Sequence, residues 1–264
     1  MSAATRVITT VVAAVCLVPA LAVGTALAQS AAAPITAAPS PASQPAPKRI
    51  VPGDSTLRPA RLHSDTLTYE LVGFREGQVV PVGTIRDELT LEEGPPPQLR
   101  REIVVQRGSA RLIDSSLTDV ATVAPRRHVS RQPQRDIQLN IVGRRVRGTI
   151  GPSGTPGAAI DTTLGSMVFD AASWDLVVRT MPLARDFAAV FRVWDIETGL
   201  RDYTVRVIGS TPLRGETAWI LLLQLGGPRE ITVWIGQTTS RLLQVETPVN
   251  ETTVLRQTLT SPAR

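Results

Sequence analysis

One cysteine, one lysine and two histidines in 264 residues leave little from which to build the commoner catalytic and metal chemistries. The cysteine, Cys16, lies inside an apolar N-terminal run. Beyond it the chain has no thiol to react and no disulfide to form, so stability has to come from a core. Val15 precedes it, where a lipid-modified cysteine follows a small residue. The histidines, His63 and His128, show no H-E-x-x-H or H-x-H spacing, and a zinc site would need carboxylates for most of its ligands. His128, between Arg127 and Val129, reads as a strand residue that is exposed or satisfied by its neighbours. There is no G-x-S-x-G elbow, no P-loop and no G-x-G-x-x-G turn. Aromatic residues make up 4% of the chain and form no stacking motif, which argues against nucleic acid. Past the N-terminus no apolar run is long enough to span a bilayer as a helix. Ten aromatic residues, short strands and the non-aromatic ending TLTSPAR also argue against an outer-membrane barrel.

What is present starts with an export signal. Arg6 supplies a positive region, residues 7–23 an apolar one, and Ala26-Leu27-Ala28 a small-residue cleavage site, so residues 1–28 read as a signal peptide removed before Gln29. The expected location is the periplasm or the outside of a bacterium, with no integral membrane segment after cleavage. Residues 29–62 are read as an Ala/Pro/Ser-rich flexible tether, and residues 63–264 as a single β-rich domain. The net charge of +5 is almost wholly arginine, in doublets at Arg126-Arg127 and Arg144-Arg145 among others. These four are the candidates for contact with an anionic envelope surface. The simpler reading is a solvated strand face.

From Asp65 to Ile150 the pattern has period two. DTLTYELV puts Leu67, Tyr69 and Leu71 on one face, and VGTIRDELTLEE puts Ile85, Leu89 and Leu91 there together with Asp87. An inward Asp87 needs an arginine from a neighbouring strand. Residues 151–168 read as a glycine-rich loop. One helix is expected over about 170–181, capped by Asp170, with an apolar stripe of Trp174, Val177, Val178 and Met181, an i,i+4 pair of Asp175 and Arg179, and a stop at Pro182. A meander of hairpins fills the rest of 169–260. The fold expected is mainly β: a large, strongly curved antiparallel sheet or open barrel of about ten or more strands with that helix packed on it. Within the meander ETAWILLLQL is apolar on both faces, which asks for cover on two sides.

The order of features resembles a bacterial envelope family, domain of unknown function 3108. It is carried by VGTIRDELTLEE, SLTDVATVAPRRHVS, RDIQLNIVGRRVRGTI, DAASWDLVVRTMPL, STPLRGETAWILLLQ and TVWIGQTTSRLLQVE. The family has no established catalytic residues to carry over. The resemblance implies an exported β-rich protein, shaped like the open sheet wrapped on a helix of LolA/LolB-type lipoprotein carriers. The expectation is a non-catalytic envelope protein, without cofactor or metal, holding a hydrophobic or lipid-like ligand or a lipoprotein in a groove lined by Trp174, Phe191, Tyr203, Trp219, Leu221, Leu223, Trp234 and Leu243. The alternatives are a structural or interaction module without ligand and a hydrolase built on Asp195, Glu197 or Asp87.

Overall fold

A computed structural model describes residues 47–227 and 230–262. The expected signal peptide and most of the expected tether lie outside the described residues. The chain runs through β1 (Lys48–Ile50), a 3-10 turn (Pro59–Arg61), β2 (Asp65–Arg75), β3 (Gln78–Glu92), β4 (Gln98–Arg107), β5 (Ala110–Asp119), β6 (Pro125–Gln132), β7 (Arg135–Val142), β8 (Arg145–Gly151), β9 (Ala158–Thr163) and β10 (Phe169–Asp170). After a second 3-10 turn (Ala171–Ser173) come α1 (Trp174–Thr180), β11 (Ala188–Asp195), β12 (Gly199–Leu213), β13 (Glu216–Gln224), β14 (Glu230–Gly236), β15 (Leu242–Pro248) and β16 (Thr253–Pro262).

All sixteen strands join one curved, unclosed sheet. Its order is β1, β11 to β16, then β2 to β9, with β10 also on β11. β1 and β10 pair in parallel with β11; the other pairings are antiparallel. Successive strands are hairpins because the turns demand it. Glu76-Gly77 and Arg214-Gly215 both take positive φ at two successive residues, the geometry that matches strand twist in a two-residue turn. The two halves meet in mid-sheet, where β16 lies on β2 with Thr253 opposite Arg75.

The alternation expected for β2 and β3 holds for Leu67, Tyr69, Leu71, Ile85, Asp87 and Leu89, all buried, but not for Leu91, which is exposed near the end of β3. Together with the inner faces of β11 to β15 these side chains surround α1, all seven residues of which are buried. Asp170 caps the 3-10 turn before α1, accepting from the Ala172 N–H at 3.2 Å, rather than α1 itself, whose N-cap is Ser173. The expected Asp175–Arg179 pair does not form. A helix enclosed on every side has no solvent face to carry such a pair, and each charge turns to the surrounding sheet instead.

Three boundaries move. The helix expected over about 170–181 begins only at Trp174, after β10 and the 3-10 turn. The tether does not extend to residue 62: β1 pairs with β11, the Gly53 N–H donates to Thr122 O at 2.8 Å, and Ile50, Leu57 and Leu62 are buried. Three apolar side chains spaced around Pro52-Gly53 suffice to pin this stretch. The expected loop over 151–168 contains β9, an edge strand of mostly exposed residues whose weak alternation hid it.

Candidate functional site

The concave side carries two buried polar clusters. In the first, Arg101 of β4 sits between Asp87 of β3 and Asp175 of α1. Its Nε and Nη2 donate to Asp87 at 2.8 and 2.6 Å, and its Nη1 and Nη2 to Asp175 at 2.6 and 2.9 Å. Burial opposes the charge on Arg101, but Asp175 and Asp87 more than offset it and hold its pKa well above the ordinary range. Arg101 is the partner that an inward Asp87 required. The alternation of Leu99, Arg101, Ile103 and Val105 already placed it inside, and sequence reasoning passed it over. Nearby, the Tyr69 hydroxyl donates to Leu242 O at 3.1 Å. Its pKa is pushed up, first by burial and then by Asp87. Arg179 of α1 donates Nε–H to Ser240 O at 2.9 Å, while its Nη1 and Nη2 are buried without a partner.

The second cluster lies between β5, β6 and the turn before α1. His128 Nδ1 is 3.2 Å from Asp170 Oδ1, and its Nε2 is 3.8 Å from Asp114 Oδ1. Burial works against a charged imidazole, but Asp170 and Asp114 outweigh it and push the pKa up to about 10. The ring is therefore protonated near neutral pH, donates to Asp170, and is not available as a general base. Asp195 reaches the same space, with its pKa raised by burial. It accepts from the Glu197 and Thr198 N–H groups at 2.9 and 2.8 Å and so shapes the turn after β11. Glu197 pairs with Arg135. A cavity of about 30 Å³ lies among these groups, room for a water molecule.

The proposed groove residues divide. Trp174, Phe191, Tyr203, Leu221, Leu223 and Leu243 are core side chains. Phe191 meets Tyr203 edge to face with centroids 5.7 Å apart. Trp219 is half-buried on the same inner face. Trp234 pairs across with Ile220 and so lies on the opposite face from Leu221 and Leu223; it shares no groove with them. Beside α1 lies a chamber of about 70 Å³, bordered by Trp174, Arg101, Leu71, Val245 and Leu255 among others. The second face of β13 carries Ile220 and Leu222, both half-buried.

Arg126 and Arg127 split between faces because neighbouring strand residues point apart, whereas Arg144 lies in the turn before β8. Arg126 bonds Asp119 at 2.8 Å, Arg144 reaches Gly165 O at 3.5 Å, and Arg145 forks Asp161 at 2.9 and 2.8 Å. Arg127 is exposed on the outer face. Among the described residues no cluster of three or more His, Cys, Asp or Glu is placed to hold a metal ion, and no helix is long and apolar enough to cross a membrane.

A family model described as "Protein of unknown function (DUF3108)" matches residues 67–258. No curated protein matches the chain. Among solved structures, a β-barrel-like protein of domain of unknown function 1849 from Brucella abortus is 10% identical, covering 78% of this chain and 98% of its own, with a TM-score of 0.52. That likeness is one of fold. A LolA superfamily protein from Nitrosomonas europaea is 11% identical over 81% of this chain and 93% of its own, but with a TM-score of 0.22 we draw nothing from it.

Proposed function

The chain belongs to the DUF3108 family, whose function is unknown, and from that premise we propose that it is an exported, non-catalytic interaction module of the bacterial envelope that meets its partners through its outer surface. The N-terminal leader supports export. The observation that carries the reading is the filled interior. α1 occupies the concave side with every residue buried, and the chamber left beside it is about 70 Å³. Pockets that enclose a small molecule run to roughly 300–1,000 Å³, so an acyl chain has no room while α1 stays in place. The most reactive-looking groups, His128, Asp195 and Glu197, are each engaged in internal contacts, which supports a non-catalytic reading. Organic extraction of the purified protein followed by lipid mass spectrometry, with titration of a fluorescent fatty acid, tests it. No stoichiometric lipid and no saturable uptake are expected. One lipid per chain would overturn the reading.

The carrier reading retains one favourable observation, namely that the same chamber is bordered by Leu71, Val245, Leu255 and Trp174. It would need α1 to leave, against the two hydrogen bonds from Arg101 to Asp175 and the bond from Arg179 to Ser240.

A further inference from the structure

The outer face of β4, β5 and β6 carries a groove of about 430 Å³. Strand register sets Arg100, Leu117 and Arg127 in one row across it, and Ile113 opposite Arg131 in another. Arg111 borders it near the end of the hairpin. The floor is largely apolar, Ile113, Leu117 and Val129, with Ser115 between the first two. Val129 is only 9% exposed on this outward face; it stands between Arg127 and Arg131 in sequence, whose stems can lie over it.

Several outward arginines elsewhere are neutralised, Arg86 by Glu88 at 2.7 Å, Arg192 by Asp202 at 2.8 Å and Arg256 by Glu246 at 2.6 Å; what sets this groove apart is that three arginines without such a partner border one hollow. In the groove Arg100 is bound to Glu92 at 2.6 Å. Arg111, Arg127 and Arg131 have no carboxylate or hydrogen-bond partner among the described residues. Glu102 is the one other acidic residue bordering the groove.

The chemistry of the groove selects among anions. β4, β5 and β6 are interior strands paired on both sides, so their backbone offers nothing to an extended peptide. No aromatic ring is there to stack a base. Three free guanidiniums, each able to fork a phosphate, around a largely apolar floor suit an anionic amphiphile. We infer that this groove docks the protein on a lipid surface through phosphate-bearing head groups. The inference rests on the reading that partners are met outside the barrel-like fold.

Sedimentation of the chain without its leader with vesicles tests it, using phosphatidylcholine alone and phosphatidylcholine mixed with phosphatidylglycerol. Binding is expected to the mixed vesicles only, weakening as salt rises. The triple variant R111Q/R127Q/R131Q should lose roughly 100-fold in affinity, and Arg127→Gln alone about fivefold. The variant R75Q/R185Q, which removes two exposed arginines elsewhere, should bind like the parent. Equal binding to neutral vesicles, or a triple variant that binds like the parent, would overturn the inference. So would release from the vesicles by millimolar inorganic phosphate, which points to free phosphate, or by polyglutamate, which points to an acidic protein. If the triple variant fails to fold, the Arg127→Gln result decides. Lipid extraction reads the interior and vesicle binding the exterior, so either conclusion can fail alone.

Discussion

Replacing Arg101 with Met would leave Asp87 and Asp175 buried without the cation that pairs them. The three side chains are 4%, 2% and 4% exposed, and the guanidinium makes four charge-assisted hydrogen bonds of 2.6 to 2.9 Å. Removing one member of a buried ion pair costs about 3–5 kcal/mol, because the partner keeps its desolvation penalty and loses its compensation. Here two carboxylates are orphaned at once, so the upper part of that range, about 4–5 kcal/mol, is expected. Methionine replaces most of the arginine stem and adds little by way of a cavity. The informative partner is the triple variant D87L/R101M/D175L. It removes all three charges for side chains of comparable volume and should fall within about 1 kcal/mol of the parent, or above it. Urea unfolding read at a shared m value separates the two. An Arg101→Met protein within about 1 kcal/mol of the parent would refute the reasoning. So would a triple variant as unstable as the single one, since shape rather than charge pairing would then hold α1 in place.

Three further perturbations test other parts of the structure. The His128 pKa of about 10 in the fold lies above its ordinary 6.5, so its contribution is complete below pH 6.5 and is lost as pH rises through 10; urea midpoints should fall more for the parent than for His128→Gln between pH 6 and pH 10. Ile50 is fully buried, so Ile50→Ala should cost about 2–5 kcal/mol in a denaturant melt, where a tether residue would change stability by less than about 0.5 kcal/mol. A methyl group at Gly83 would overlap the Gln106 carbonyl across the β3–β4 pair, whereas Gly165 faces open space; Gly83→Ala should lose about 1–3 kcal/mol and Gly165→Ala almost nothing.

The parts of this fold that sequence could reveal are those that local periodicity encodes. Leu67, Tyr69 and Leu71 alternate, so β2 and its inner face are readable, and Asp87 in the same phase as Ile85 and Leu89 announces a buried charge. The helix is readable from its stripe, although the Asp170 cap belongs to the 3-10 turn before it. Its surroundings are not, because whether Asp175 meets Arg179 or Arg101 depends on the sheet wrapping right round α1, a relation between residues 74 positions apart. The same limit hid the meeting of His128 with Asp170, 42 positions away. The groove candidates were chosen for size and apolarity, properties that core residues such as Phe191 and Leu221 share with ligand contacts. Trp234 was assigned to their face because composition carries no register. The groove of Arg111, Arg127 and Arg131 was half legible: Arg127 stood out as one of a doublet, while its companions needed the hairpin register to join it.

The meeting of β16 and β2 bears on how the molecule is made. Thr260 donates to Thr68 O at 2.9 Å across 192 residues of chain, and β16 is the strand through which the run β2 to β9 pairs with the run β11 to β16. Until β16 exists, β2 and β15 each present a row of unpaired amides and carbonyls, the kind of edge along which foreign strands add. Local hairpins can form early on either side, but the joint between them waits for a contact of very high sequence separation and is slow for that reason. A chain delivered to its compartment in an extended state would spend that interval as two sticky half-sheets. Its yield is then a matter of timing between synthesis and escort as much as of final stability.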